Sequence, residues 1–478
     1  MLATRLSALD ASFLAAETPT AHMHVGWASV FDPPADGSRP TFEELRDHLE
    51  SRLDRAPRYR QRLAFVPFGL HDPVWVDDDR FDIDHHVLCS DLGDLDDVVA
   101  MAMSAPLERS RPLWECWIAP RLDDGRIGIV GKVHHCMVDG LAAVELAVML
   151  LDPTPEPESV EPRKWAPRSA PGPIERLARG VADRAREELT LVGLPARLAS
   201  SPGRAADDLR KAGTALLNSF TRPARPTAAL NEKLSPLRHL GRLDRPIEDL
   251  ARIKSHFGTT LNDVVLAVSS GAVRRFLEDR GERPFRLKAM MPVALRPSDE
   301  ADALGNRLSF LFIDLPTDDA DPVRRLRTIN RVTKERKASG EPEGGDMALK
   351  AVSHTPHVIQ RALTRLVASP RTFNLVVSNI PGPREPLWMA GCELRESYPV
   401  VPLAERHALS IGVTSIRDGL FFGLYADRKI LPDANMLARH IDDAIDELLK
   451  RCPDPDGHSR DGEARQKGAE RLVGAGAR

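Results

Sequence analysis

Seven consecutive residues carry most of the chemistry that this sequence can offer: His134, His135, Cys136, Met137, Val138, Asp139 and Gly140. They bring two imidazoles, a thiol and a carboxylate together. A neutral imidazole titrates near pH 7 and suits a general base. Cys136 is the rival nucleophile. Asp139 can pair with an arginine to hold the loop, or cap the helix that starts at Leu141. Gly140 permits a tight turn. Successive side chains of an extended segment point to opposite faces, so one histidine belongs against the fold and the other in a cleft. The plainer reading is a packed pair of core histidines before a capped helix. An Asp-Gly turn at a strand-to-helix junction weighs against it.

The surrounding pattern supplies the elements that must position these groups. Ile127 to Val133 is an apolar run with strand character, and Leu141 to Leu151 has helical spacing. Leu113 to Leu122 and Arg126 to His134 read as the arms of a hairpin across Asp123-Asp124-Gly125. A short helix and then an extended segment from His22 precede them. Thr41 and Glu44 have capping-box form before a helix with Leu45, Leu49 and Leu53 on one face. Another helix is expected from Leu95 to Ala105.

In the second half, Thr260 opens a helix with Val264, Ala267, Val268, Ala272, Val273 and Leu277 at helical spacing. Strands are expected at Leu287–Leu295, Leu308–Leu315 and Phe373–Val377, and a hairpin joins Ala408–Ile416 to Leu420–Ala426 across Asp418-Gly419. Leu437, Ile441, Ile445 and Leu448 mark the last helix.

The 478 residues exceed one ordinary core, so two domains are expected. A hydrophobic fraction of 42% and a charged fraction of 28% fit a globular protein, and the net charge of −4 gives no general attraction to nucleic acid. Five scattered cysteines support neither a disulfide framework nor a metal site. No run approaches a transmembrane helix, and the N-terminus lacks a signal-peptide layout, so a cytoplasmic protein is expected. Between Arg163 and Arg225 thirteen Lys/Arg stand against six Asp/Glu, a net of +7. This stretch opens after a Pro/Glu-rich segment and carries Ile174, Leu177, Val181, Ala185, Leu189 and Val192 at helical spacing. It reads either as a packed bridge or as a basic amphipathic surface for lipid at the inner membrane face or lipid bodies. The boundaries drawn from these shifts are 1–152, 153–235, 236–450 and a disordered tail at 451–478.

Several more positions invite a chemical reading. Asn262 and Asp263 lie in the first turn of their helix. Capping and dipole compensation explain Asp263 well and Asn262 less well. Ser378, Asn379, Pro381 and Gly382 form a turn by composition. Pro112, Leu113 and Trp114 open a hydrophobic strand. His85-His86 lacks a following Asp-Gly and reads as surface or structural.

HHCMVDG resembles the HHxxxDG motif of the CoA-dependent acyltransferase superfamily. Further stretches resemble, in order, the bacterial wax ester synthase/diacylglycerol acyltransferase family: LSALDASFL with TAHMHVG, PRYRQRL, RPLWE, TLNDVVLA, MPVALR, GNRLSFLFIDLP and VVSNIPGP. The resemblance spans about residues 5 to 450. It implies an α/β fold: two chloramphenicol-acetyltransferase-like domains, with mixed sheets flanked by helices, forming an interdomain tunnel. It implies an acyl-CoA-dependent O-acyltransferase that esterifies diacylglycerol to triacylglycerol, or a wax ester synthase that uses long-chain fatty alcohols instead. The fold would also suit a carrier-protein-dependent acyltransferase or a non-catalytic lipid-binding relative. Acyl-CoA is a co-substrate in the favoured case, and no cofactor or metal is expected. The same resemblance makes His135 the general base, His134 a support and Asp139 a structural orienter with Arg296 as its candidate partner. Asn262 would serve the oxyanion or the acceptor. Gly140, Pro112, Leu113, Trp114, Asp263, Arg296, Ser378, Asn379, Pro381 and Gly382 would line the substrate path.

Overall fold

The computed structural model describes residues 4–137, 150–156, 165–192, 223–294, 308–339 and 365–453. In chain order the first half supplies β1 (Thr4–Arg5), β2 (His24–Asp32), β3 (Gln61–Ala64), β4 (Val74–Asp77), β5 (Val87–Cys89), β6 (Trp114–Ala119) and β7 (Ile127–His134). The second half supplies β8 (Arg238–Pro246), β9 (Leu287–Ala294), β10 (Leu308–Leu315), β11 (Leu375–Pro381), β12 (Trp388–Met389), β13 (Cys392–Val400), β14 (Leu409–Ile416) and β15 (Gly419–Asp427). These form a small sheet, β1-β4-β3, and two six-stranded sheets, β12-β13-β2-β7-β6-β5 and β10-β9-β11-β14-β15-β8. Both large sheets are mixed, and helices cover them.

Strand β7 is buried along its whole length, which its apolar run requires. Its one charge, Lys132, is fully buried and solved locally. The ammonium lies 2.7 Å from Glu115 on β6 and donates to the carbonyls of Ala102 and Ala105 at the end of the helix Leu95–Ser104. A cation suits a helix C-terminus. Gly131 leaves room for the Trp27 indole, which would stand 2.2 Å from an added Cβ.

The boundaries expected from the sequence do not separate the sheets. Trp388 to Val400, well inside the second half, add β12 and β13 to the first-half sheet, with β13 antiparallel to β2. Asp152 lies on that seam: it bridges Trp388 and is buried among Arg52, Arg55 and His48. Arg242 of β8 crosses to Asp96 at 2.5 Å. One hydrophobic core accordingly runs through both halves, from Leu6 to Cys452.

The helix Pro173–Val192 packs on the first half. Asp183 pairs with Arg5, Arg176 donates to the Phe65 carbonyl, and Gly180 faces Val66 and His71. Its outer side is apolar and exposed at Ile174 and Val181.

A candidate acyl-transfer site

β7 ends at His134, and the chain turns at once into a single 3-10 turn, His135–Met137. Neighbouring backbone pins both histidines. The His134 N–H donates to the Leu113 carbonyl at 2.9 Å and the His135 N–H to that of Met23 at 3.0 Å. Met23 holds a left-handed backbone, φ 51°, immediately before β2. A non-glycine residue stays there only when its surroundings hold it. Here that conformation accompanies the carbonyl's reach to His135.

The two side chains separate as alternation requires. His134 is buried, and its Nδ1 accepts the Cys136 N–H at 3.1 Å. That bond places the proton of a neutral His134 on Nε2, which lies 3.6 Å from Glu17 Oε2. Glu17 also binds Arg109. Burial pushes its carboxyl up, but the neighbouring His134 imidazole and Arg109 guanidinium outweigh this and hold it below the ordinary value. His135 stays half-buried, its ring stacked on that of Phe13.

Behind His134 lie His24 and His22. His24 is fully enclosed, and burial, followed by the charge of Lys132, pushes its pKa well down. Burial also lowers His22. Sequence reasoning does not find Phe13 and Glu17. Their spacing of four on the helix Ala8–Ala16 and its C-cap places them on one face, and that spacing is the available signal.

Cys136 is buried, and burial pushes its thiol well above the ordinary value, so it is no ready nucleophile. His85 and His86 fit their structural reading. His85 is exposed, whereas His86 is sandwiched between Phe81 and Trp114. Asp139, Gly140 and Arg296 lie outside the described residues.

Trp114, expected on the substrate path, is held by its neighbours. Its indole N–H donates to the Tyr59 carbonyl at 2.7 Å, its face stacks on His86, and Tyr59 meets it edge-on. Pro112 and Leu113 are buried beside it, and Leu113 serves the site by holding the His134 backbone. Asp263 caps its helix, as its place in the first turn suggests. Thr260 and Asp263 form a capping box, and Asn330 and Thr333 donate to the two carboxylate oxygens at 2.7 and 2.6 Å. Burial raises this carboxyl, but the bonds from Thr333, Thr260 and Asn330 bring it below its ordinary value. It is committed to the fold.

Ser378 to Pro381 are not a turn. They continue β11 in parallel pairing with β14, Ser378 opposite Gly412 and Pro381 opposite Ser415. Pro381 ends the strand, where its missing N–H is tolerated. An added Cβ on Gly382 would stand 2.3 Å from the Ser415 carbonyl oxygen. Ser378 is buried, while Asn379 reaches the first turn of the helix Leu261–Asp279 and donates to Asn262 Oδ1 at 2.7 Å. The candidate residues therefore fall into two groups: the histidine turn with Phe13 and Glu17, and the Asn262–Asn379 pair. Among the described residues no group of His, Cys, Asp and Glu is arranged to hold a metal.

Such a set offers a partly buried imidazole with a fixed backbone and ring plane, plus a separate amide. It suits proton transfer rather than covalent catalysis by the adjacent thiol. The catalytic domain of the wax ester synthase/diacylglycerol acyltransferase family matches residues 6–265, and the C-terminal domain of that family matches residues 304–449. The chain is 33% identical over 458 residues to a probable diacylglycerol O-acyltransferase of Mycobacterium tuberculosis, covering 93% of this chain and 95% of that protein. It is 32% identical to a putative one of Mycobacterium bovis, covering 92% and 97%. The structure of a wax ester synthase/diacylglycerol acyltransferase from Marinobacter aquaeolei superposes with a TM-score of 0.66 at 26% identity, covering 94% of this chain and 100% of that one. A condensation domain of the calcium-dependent antibiotic synthetase shares the fold, with a TM-score of 0.56 at 17% identity and coverage of 96% and 99%. The chain belongs to the wax ester synthase/diacylglycerol acyltransferase family and is an acyltransferase.

Proposed function

We propose that this protein transfers a long-chain acyl group from acyl-CoA to the free hydroxyl of diacylglycerol, giving triacylglycerol and CoA. One observation carries the assignment of the base. Of the neighbouring imidazoles, His22, His24 and His134 are buried, whereas His135 is only partly buried. His135 takes the proton of the acceptor hydroxyl as that oxygen attacks the thioester carbonyl. The tetrahedral oxyanion then collapses, the C–S bond breaks, and the leaving thiolate takes the proton from His135. Atoms balance without an acyl-enzyme or a cofactor, with acyl-CoA as co-substrate. The Asn262 amide supplies an N–H to the oxyanion or the acceptor.

Diacylglycerol and its product are insoluble in water, so the protein must meet them at a lipid surface. No helix among the described residues is long and apolar enough to cross a membrane. Peripheral contact is the reading that fits. Five of the nine large exposed hydrophobic side chains among the described residues cluster on the turn beside the helix Pro173–Val192 and on that helix: Phe65, Phe68, Leu70, Ile174 and Val181. Phe68 is 90% exposed and holds a left-handed backbone, φ 61°. The arginines beside this patch are largely engaged, Arg176 with the Phe65 and Pro171 carbonyls and Arg179 with Glu175. Apolar insertion, more than charge, would then hold the lipid.

The testing experiment offers purified protein palmitoyl-CoA with diolein and hexadecanol in competition. Triacylglycerol as the main product supports the proposal. Wax ester as the main product would move the acceptor assignment to fatty alcohols, and no ester from either acceptor would refute acyl-CoA-dependent transfer to these lipids.

A further inference from the structure

Asn262 and Asn379 are 117 positions apart, yet they meet in one side-chain hydrogen bond, Asn379 Nδ2 to Asn262 Oδ1 at 2.7 Å. An amide is two-ended, with an acceptor oxygen and a donor nitrogen. With Oδ1 engaged, Asn262 keeps two N–H donors, and its side chain makes no second hydrogen bond among the described residues. We propose that Asn379 is a positioning residue that locks the Asn262 amide with its N–H group, rather than its oxygen, toward the reacting centre. This rests on the reading of Asn262 as a donor there.

Both ends of the bond are held by the fold. Asn379 sits in β11, in register with Val413 of β14. The first turn of the helix Leu261–Asp279 is fixed by the Thr260–Asp263 capping box and by Asn330 and Thr333 on Asp263. Capping consumes Thr260 and Asp263 and leaves Asn262 as the polar side chain of that turn available for chemistry. An unanchored amide has two broadly equivalent orientations about χ2. One donates to a developing oxyanion; the second turns an oxygen toward it and repels it. A neighbour that donates to the amide oxygen favours the first. Asn379 plays that part at Asn262 Oδ1, and the preorganised donor then costs no reorganisation at the moment of reaction.

The test is a double-mutant cycle with the full chain, palmitoyl-CoA and diolein, with melting temperature measured for every variant. Loss of an oxyanion donor lowers kcat by about 100-fold or more, and Asn262→Ala is expected in that range. In Asn379→Asp the new carboxylate accepts only, so Asn262 turns its NH2 toward it. A kcat loss approaching that of Asn262→Ala is expected, with little change in KM or melting temperature. In the Asn262→Ala background the same Asn379→Asp change should cost almost nothing, because Asn379 acts through Asn262. An equal cost in both backgrounds would show a direct electrostatic effect and overturn the proposal. So would near-normal kcat in Asn379→Asp when Asn262→Ala is impaired, which leaves the reading of Asn262 standing. Near-normal turnover in Asn262→Ala would remove that reading and the proposal with it. Should Asn379→Asp melt lower than the parent, Asn379→Ala takes its place in the same cycle.

Discussion

The ring of Phe13 lies flat against that of His135, with centroids 3.7 Å apart and planes 16° from parallel. Phe13 comes from the first helix and His135 from the turn after β7, so the contact fixes the base from outside its own loop. A backbone bond to Met23 sets where His135 begins, and Phe13 sets the plane of its imidazole. Phe13→Ala should therefore lower kcat by about 10-fold through lost orientation, with a smaller change in KM. Steady-state kinetics with palmitoyl-CoA and diolein check this. Unchanged kcat would show that the ring plane does not matter.

Cys136→Ala should retain most of the turnover. The thiol is buried, and burial raises its pKa far from the thiolate range. Mass spectrometry of protein incubated with palmitoyl-CoA should show no acylated Cys136. A stable thioester there would replace direct transfer with a covalent route.

Mild acid should weaken the fold. Burial, reinforced for His48 by the charge of Arg52, pushes His48 and His407 from the ordinary 6.5 down to about 4. In the unfolded chain both take up a proton near 6.5. Between those values unfolding binds protons that the folded chain refuses, so stability falls as pH drops from 6.5 toward 4 and is complete above 6.5. At pH 5 each group costs about 2 kcal/mol. Thermal unfolding at pH 7.5 and pH 5 should show a clear drop in Tm, whereas a flat profile would contradict the buried-neutral assignment.

Phe68→Asp combined with Ile174→Asp should cut co-sedimentation with liposomes by about 10-fold while leaving Tm unchanged, since both side chains are exposed. Wild-type binding should also survive moderate salt better than a purely electrostatic contact would. Equal pelleting of the variant and the parent would exclude this patch as the lipid-facing surface.

Signals of short range are legible in the sequence. The Asp-Gly turns at 124–125 and 418–419 announce both hairpins, and Thr41 with Glu44 announces a capping box that forms as expected. His134 and His135 part company as alternation dictates, although the 3-10 turn is not visible in the pattern. What fails depends on distant partners. Ser378 to Pro381 look like a turn until β14 pairs with them. Nothing local to Trp388–Val400 says that it leaves its own half for β2. The contacts of Trp114 with Tyr59 and His86, and of Asp263 with Asn330 and Thr333, likewise come from far along the chain.

The most direct test of the general-base mechanism is turnover of His135→Ala. Removing a positioned general base costs about 100- to 10,000-fold, so triacylglycerol formation from palmitoyl-CoA and diolein should fall by at least that lower factor, with Tm close to the parent's. Near-normal turnover in a folded His135→Ala protein would contradict the mechanism.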